Sequence, residues 1–387
     1  MRPNLRHLRI FLAVAEHGSI TRAAALGRVS QPAVTQAFAG LERAAAAPLF
    51  RRTPQGLFPT PAGAALAARV RRAFDRLDPA LADLAPRLRL TATAAQLRAL
   101  IAAREAGNFT LAARRIGIAQ PTVHRAIAQL EAEAGRPLFE RTAHGPVATR
   151  PAQALAQAAR LAFAELAQAE ADVADTLGRE VGRIVVGAMP LSRSSVLPAA
   201  IARFREVRPT LPVEVQDGPY DELLAGLRRG EIDLLIGALR DPAPVGDVEE
   251  RPLFHDDLVL VAGHRHPLAQ ARGVTVADLA AYPWVVARAG TPTRAHFDRL
   301  FAAGPRPASL VESGSLILMR ELLQATDHLG CISRLQARAE TDRGLLAILP
   351  FDLPGSSRPI GLTLRAGWLP TRAQRQFLDL LPLTNRP

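Results

Sequence analysis

The sequence predicts a multidomain chain. Two α-rich domains, each three helices with a two-stranded wing and each followed by a long helix, precede an α/β domain. Three observations lead there. The chain has 387 residues, more than one ordinary domain holds. Its first half repeats itself at a fixed offset. From Arg183 onward the texture changes to alternating strands and helices.

The repeat is read from matched positions. Glu16 and Glu105 are 105 − 16 = 89 residues apart, as are Gly18 and Gly107, and the register holds without a gap from Leu8/Leu97 to Thr60/Thr149. Within it fall Thr21/Thr110, Gln31-Pro32/Gln120-Pro121, Leu41-Glu42/Leu130-Glu131 and Pro48-Leu49-Phe50/Pro137-Leu138-Phe139. In all, 23 of 53 positions are identical, which makes the two segments copies of one fold.

In the first copy Leu8, Phe11, Leu12 and Ala15 share one helical face, and Gly18-Ser19 ends that helix and caps the next. The second helix is short, Ile20 to Leu26. After the Gly27-Arg28-Val29 turn, Ser30 is an N-cap and Pro32 sits early in a third helix, where its missing N–H costs nothing. That helix runs to about Ala45, with Val34, Phe38 and Leu41 facing the core and Thr35, Gln36 and Gly40 facing outward. Pro48 to Thr53 and Leu57 to Thr60 form wing strands around Pro54-Gln55-Gly56. Two short helices joined by a tight turn, the second opening with small polar residues, make a helix-turn-helix shaped for a DNA major groove.

Gly18-Ser19-Ile20-Thr21-x-Ala23-Ala24, Val29-Ser30-Gln31-Pro32-Ala33-Val34-Thr35-Gln36, Leu41-Glu42, Pro48-Leu49-Phe50-x-Arg52-Thr53 and Thr60-x-x-Gly63 resemble the winged helix-turn-helix signature of LysR-type regulators. Copy two resembles it through Gly107-Asn108-Phe109-Thr110, Ala119-Gln120-Pro121-Thr122-Val123-His124-Arg125 and Leu138-Phe139-Glu140-Arg141-Thr142. The resemblance implies DNA contacts by Ser30, Gln31, Pro32, Thr35, Gln36, Arg51, Arg52 and Thr53, and in copy two by Gln120, Thr122, His124, Arg125, Arg141 and Thr142. Gln and Arg have the donor geometry for base edges, whereas hydroxyls and wing arginines fix register on the backbone. Both copies depart from the pattern. Ala46 stands where a glycine is usual, Ala119 replaces the capping serine, and Ala152 stands where copy one has Gly63. A capping Ser→Ala change costs roughly 1 kcal/mol, which leaves copy two open as a second DNA-binding head or a spacer.

After each wing comes an alanine-rich helix with one apolar stripe. The first runs from Pro61 to about Leu84 and carries Leu66, Val70, Phe74, Leu77, Leu81 and Leu84; the second runs from Pro151 to Leu177 and carries Leu155, Ala159, Ala162, Leu166, Ala169, Val173 and Leu177. Pro79 is expected to bend the first or end it early. In LysR-type proteins such helices pair between chains, which implies a homodimer or homotetramer; the alternative is that the two pack on each other within one chain. The domain boundaries expected are 1–63 for copy one, 64–92 for its linker helix, 93–152 for copy two, 153–180 for the second linker helix and 181–387 for the C-terminal domain.

In that domain Ile184 to Gly187, Pro212 to Val215, Ile232 to Ile236, Leu258 to Ala262, Trp284 to Ala287, Leu329 to Ser333 and Ile360 to Ala366 read as strands, with helices at Pro198 to Arg208, Tyr220 to Arg229, Thr293 to Ala302 and Leu316 to Ala325. Gly182 to Gly187, Gly230-Glu231-Ile232-Asp233-Leu234, His266-Pro267-Leu268 and Gly330-Cys331-Ile332-Ser333 resemble the LysR effector-binding domain, itself similar to type 2 periplasmic binding proteins. That implies two lobes with a small-molecule cleft between them. Met189 to Ser195 follows a strand and opens a helix, and Gly290 to Arg294 repeats that setting, so N–H groups, hydroxyls and guanidinia converge in a way that suits an anion or polyol; the alternative for the hydroxyls is capping and turn formation. The candidate effector-binding residues are Leu191, Ser192, Arg193, Ser194, Thr291, Thr293 and Arg294. Pro190 to Arg193 and Thr291 to Arg294 resemble the galactose-binding-protein regulator subgroup, which implies a sugar or organic acid.

The net charge of +12 is unevenly spread: residues 1–90 carry 14 Arg against 5 acids and residues 91–178 carry 9 against 8, with no lysine anywhere. The excess agrees with a polyanion partner for copy one. No apolar run is long enough for a membrane span and Arg2, Arg6 and Arg9 precede any apolar stretch, so a cytoplasmic protein is expected. The lone Cys331 sits in an apolar run and reads as a small core side chain. No His-Glu-x-x-His, Cys-x-x-Cys, Gly-x-Ser-x-Gly or phosphate-loop pattern occurs, and His255-Asp256-Asp257 and His264-x-His266 read as turn residues. Neither catalysis nor a cofactor is expected. The partners implied are double-stranded operator DNA, a small-molecule effector, RNA polymerase and further copies of the chain. A solute receptor or an enzyme on the periplasmic-binding fold, and a DNA-architectural protein, are the competing classes; the N-terminal repeat weighs against the first and the C-terminal cleft against the second.

Overall fold

The computed structural model describes residues 4–27, 29–143, 145–240 and 245–382; Arg2 and Arg28 lie outside them. The chain divides into two compact units, residues up to 183 together with 229–231, and 184–228 with 232 onward.

The first unit opens with α1 (Leu5–His17), α2 (Ile20–Gly27), α3 (Gln31–Ala45), β1 (Phe50–Thr53) and β2 (Gly56–Pro59). Leu8, Phe11, Val14, Val34 and Leu49 form its buried centre. Ser30 accepts from the Ala33 N–H and caps α3, as its sequence promises. The other end of α3 is strained. Ala46 has φ 49° and is the one non-glycine residue with positive φ among those described, whereas its counterpart in copy two, Gly135, takes φ 65° freely. The Leu-Glu dipeptide fastens the wing: Glu42 Oε1 accepts the Leu49 N–H at 2.7 Å.

Then follow α4 (Pro61–Leu84), α5 (Leu88–Thr91), and the second copy as α6 (Ala94–Ala106), α7 (Phe109–Ile116), α8 (Gln120–Ala134), β3 (Phe139–Thr142) and β4 (Gly145–Ala148), leading into α9 (Arg150–Thr176). Glu131 repeats the wing bond, accepting the Leu138 N–H at 2.7 Å. Ala119 makes no side-chain cap bond. Ala152 is buried where copy one has Gly63; a Cβ on Gly63 would lie 1.9 Å from the Leu49 carbonyl oxygen, so the helix-to-wing approach in copy one requires glycine.

One expectation needs correcting here. Pro79 does not end α4, which continues to Leu84, because Leu77, Leu81 and Leu84 on either side of it are buried in the core and offset the lost backbone bond. The helix runs from Pro61 to Leu84, the span its apolar stripe predicts, and residues 88–91 make the separate turn of α5.

The stripes of α4 and α9 cover each other within one chain. Leu66, Val70, Phe74 and Leu77 of α4 and Leu155, Ala159, Ala162 and Leu166 of α9 belong to the same buried cluster. Arg69 reaches Asp172 at 2.7 Å while Arg76 reaches Glu165 at 3.3 Å, a register that runs the helices antiparallel. Glu165 accepts from Arg69, Arg72 and Arg76 together, and the Arg69 side chain is only 1% exposed.

In the second unit, β5 (Ile184–Ala188), α10 (Leu197–Val207), β6 (Val213–Gln216), α11 (Tyr220–Arg229), β7 (Leu234–Ala238) and β8 (Val248–Asp256) begin one lobe. The chain crosses through Asp257 into β9 (Leu258–Gly263), α12 (Val276–Ala280), β10 (Trp284–Val286), α13 (Pro292–Leu300), β11 (Leu310–Glu312), α14 (Leu316–Ala325), β12 (Leu329–Ser333), α15 (Arg334–Thr341) and β13 (Leu346–Ile348). It returns as β14 (Arg358–Arg365) and α16 (Arg372–Asp379). The sheets, ordered β6-β5-β7-β14-β8 and β11-β10-β12-β9-β13, share one pattern: three parallel strands, then two that alternate direction. Cys331 lies buried in β12, and burial pushes its thiol up to about 12, so it is unreactive at neutral pH.

Two outcomes test these contacts. Ala46→Gly should raise the stability of the first unit by up to about 1 kcal/mol, read from amide exchange in α1 and α3; no gain would show the cap to be unstrained. Burial opposes ionisation of Glu165, and hydrogen bonds from Arg72 and Arg69 more than offset it, holding the carboxyl below its ordinary value. Its contribution is therefore present above the ordinary carboxylate range and lost as pH falls through the lowered value. Glu165→Gln should expose α4 and α9 to exchange by about 3–5 kcal/mol at pH 7, with the deficit vanishing in acid; a deficit independent of pH would contradict this.

Candidate DNA-reading faces and ligand cleft

On copy one, Ser30, Gln31, Pro32, Thr35 and Gln36 are all exposed along the start of α3, with Arg51 and Arg52 exposed on β1. Gln31 Nε2 donates to Thr21 Oγ1 at 3.1 Å, tying α3 to α2, and Thr35 Oγ1 donates to the Gln31 carbonyl. These local bonds orient side chains that still present acceptors and amides to solvent. Thr53 does something else: its hydroxyl donates to the Gly56 carbonyl and accepts the Gln55 N–H, closing the wing turn. Thr142 repeats this with Gly145 at 2.8 Å.

Copy two presents Gln120, Thr122, His124, Arg125, Arg141 and Thr142, all exposed. The His124 ring lies edge-on to Phe109 at 6.0 Å, and Phe109 packs on Phe139, so its direction is fixed by the core. Sequence reasoning missed Arg114 and Arg115, both exposed on α7; Arg115 pairs with Glu105 at 3.0 Å. They went unnoticed because copy one has Ala25 and Leu26 at those positions.

In the second unit the candidate residues follow the C-terminal ends of β5 and β10, where open α/β sheets hold ligands. Residues Ser192–Val196 form one turn of π-helix, an uncommon geometry that often marks function. It changes the expected roles. Leu191 is buried, and Ser192 is wholly so, its hydroxyl donating to the carbonyls of Met189 and Ile236. Ser194 donates to Leu191. The hydroxyls of Ser192 and Ser194 therefore bond to backbone carbonyls, the turn-forming role that the sequence leaves open beside ligand contact. Arg193 reaches solvent and pairs with Asp217 at 2.6 Å.

Opposite, Thr291 caps α13, accepting the Arg294 N–H, and Arg294 pairs with Asp298 and with Glu312. Thr293 accepts from Arg358 Nη1 at 3.3 Å. Arg358 starts β14 in the other lobe, so this bond spans the lobes. Burial pulls its guanidinium below the ordinary value, with Asp256 opposing, and Nε has no partner. Nothing in a lone strand arginine singles it out in the sequence.

A cavity of about 470 Å³ lies elsewhere in this unit, lined by Ser195, Arg203, His255, Asp256, Arg334 and Arg338 among others. Asp256 is buried there and accepts the Leu335 N–H, while His266 accepts the Leu268 N–H. Among the described residues no group of His, Cys, Asp or Glu is placed to hold a metal ion, and no helix is long and apolar enough to cross a membrane.

Comparison with known proteins supplies the decision. A model of bacterial regulatory helix-turn-helix proteins of the lysR family matches residues 5–64 and again 94–153, and the LysR substrate binding domain matches 177–383. The chain belongs to the LysR family. It is 36% identical over 376 residues to the HTH-type transcriptional regulator GalR of Pseudomonas putida, covering 96% of this chain and 94% of that one, so the alignment includes both copies. The uncharacterised HTH-type regulator YdcI of Escherichia coli is 30% identical over 280 residues, covering 70% of this chain and 88% of its own. Among solved structures, full-length OxyR from Pseudomonas aeruginosa covers 75% of this chain and 98% of its own with a TM-score of 0.53 at 23% identity, a likeness of fold. As a LysR-family member the chain is a DNA-binding transcriptional regulator with a substrate-binding domain, not an enzyme.

Proposed function

We propose that this chain reads operator DNA through two winged helix-turn-helix domains. A two-lobed domain of the type 2 periplasmic-binding kind answers a small effector. The observation that carries the reading is the exposed start of α3 beside Arg51 and Arg52, neither of which has an acidic partner among the described residues. Ser30, Gln31, Pro32, Thr35 and Gln36 enter the major groove, Gln31 and Gln36 meet base edges, and Arg51 and Arg52 hold the backbone. Copy two contributes Gln120, Thr122, His124, Arg125 and Arg141 in the same way, with Thr53 and Thr142 shaping the wings.

For the effector, Arg193, Thr291, Thr293 and Arg294 line the cleft, with Leu191, Ser192 and Ser194 fixing its first loop. The guanidinia and hydroxyls suit a sugar or organic acid, and an anionic ligand would exchange with Asp217 and Glu312 for its arginines. The regulator works in the cytoplasm with RNA polymerase as its downstream partner. A homodimer or homotetramer would use a surface other than the α4 and α9 stripes, which are already covered.

Footprinting upstream of its own gene, with and without sugars and organic acids, tests the whole reading. Arg52→Ala should weaken binding to every sequence and lower the salt slope by about 1, whereas Gln31→Ala should relax preference at one base pair; an Arg52→Ala protein with unchanged affinity and salt slope would count against the wing assignment. Arg193→Ala and Thr293→Val should keep operator binding and lose the effector-dependent change in footprint. If both variants still respond, the effector sits elsewhere.

A further inference from the structure

The 89-residue offset does not stop at the wings. Leu66/Leu155, Ala73/Ala162, Phe74/Phe163 and Leu77/Leu166 are equivalent pairs on α4 and α9, so the two packed helices are themselves copies. Arg76 and Glu165 are equivalent too, since 165 − 76 = 89, and they touch at 3.3 Å. Where antiparallel copies meet at their own equivalent position, a local two-fold axis passes between them. Each head is fastened to its helix by the same bond, Thr60 N–H to the Leu49 carbonyl and Thr149 N–H to the Leu138 carbonyl. The axis therefore relates the two heads, inside one chain.

The charges on that axis are not symmetric, and they select the pairing. Copy one brings Arg69, Arg72 and Arg76, whose equivalents in copy two are Ala158, Leu161 and Glu165, while Asp172 has an equivalent aspartate in Asp83. Two first copies placed together would keep an aspartate, Asp83, where Asp172 meets Arg69, but would bring Arg72 and Arg76 of each helix to the axis with no carboxylate there, and two second copies would set Glu165 against Glu165. Like charges at one buried position are costly. Pairing of copy one with copy two is the arrangement in which each charge has a partner.

The reading faces differ as well. Thr35-Gln36 on α3 correspond to His124-Arg125 on α8, and Arg51 on β1 corresponds to Glu140 on β3. Glutamine pairs best with adenine and arginine with guanine in the major groove. The small net charge of copy two does not weaken its face: Glu105, Glu131, Glu165 and Asp172 are turned to partners within the fold, while Arg114, Arg125 and Arg141 are exposed.

We propose that a single chain is a two-headed reader of an asymmetric operator. One head takes each of two adjacent half-sites of different sequence, and the two-fold pairing is supplied by α4 and α9 rather than by a second chain. The proposal rests on the DNA-reading function above.

Selection of the full chain against a random duplex library, followed by hydroxyl-radical footprinting and native mass measurement, tests it. The selected duplex should show two unlike protected segments, with one chain for each such pair. Inverted repeats built from either segment alone should bind at least about tenfold more weakly, the size of one lost base contact. Gln36→Ala should relax preference in one segment only and Arg125→Ala in the other only. A dyad-symmetric selected site, or both variants relaxing the same positions, would overturn the asymmetric reader while leaving DNA reading intact. Absence of any sequence-selective binding would overturn the DNA-reading function itself.

Discussion

Glu165 stands among Arg69, Arg72 and Arg76 at the point where α4 and α9 pack, and the N-terminal half of the molecule is arranged around that contact. Arg69 is buried, and a buried cation without its carboxylate is strongly destabilising, so the register of the two helices is fixed more tightly than their alanine-rich stripes would fix it. Small side chains such as Ala73, Ala159 and Ala162 bring the helix backbones close, and the charges then decide which helix pairs with which. Because each helix begins at the end of its own wing, setting the helix pair sets the two heads.

Local signals made much of this legible. Ser30 followed by Pro32 placed the start of α3, and Ser30 does cap it; the repeat placed every element of copy two by arithmetic. What escaped was tertiary. The stripes on α4 and α9 announced a partner without saying which one, since an apolar face is indifferent to the chain that covers it. Pro79 looked like a helix end because local rules ignore the packing on either side of it. Periodicity turned Thr35 and Gln36 outward, and the resemblance to LysR-type regulators supplied the other side chains of both reading faces, but the hydroxyls of Thr53 and Thr142 were not seen to belong to the wing turns.

The C-terminal half shows the same division. β12, α11 and α14 were readable to the residue, being compact segments with clear ends. β8 was missed because Val248 to Asp256 is charged and contains Pro252, which is tolerated on an edge strand beside an irregularity in β14. There Gly361 is needed, as a Cβ would lie 2.2 Å from the Arg251 carbonyl oxygen. Whether Ser192 would meet a ligand or form a turn was open in the sequence, and Arg358 was passed over, because one turn of π-helix and one bond between lobes carry no sequence pattern.

A cysteine pair at the local axis measures most directly whether α4 pairs with α9 of its own chain. An Arg76→Cys, Glu165→Cys chain can be co-expressed in tagged and untagged forms, oxidised, and separated without reductant; buried Cys331 does not compete. Pairing within the chain predicts a disulfide between positions 76 and 165 of single chains and no tagged–untagged product. Disulfide-linked dimers joining 76 to 76, 165 to 165, or 76 to 165 across chains would contradict it.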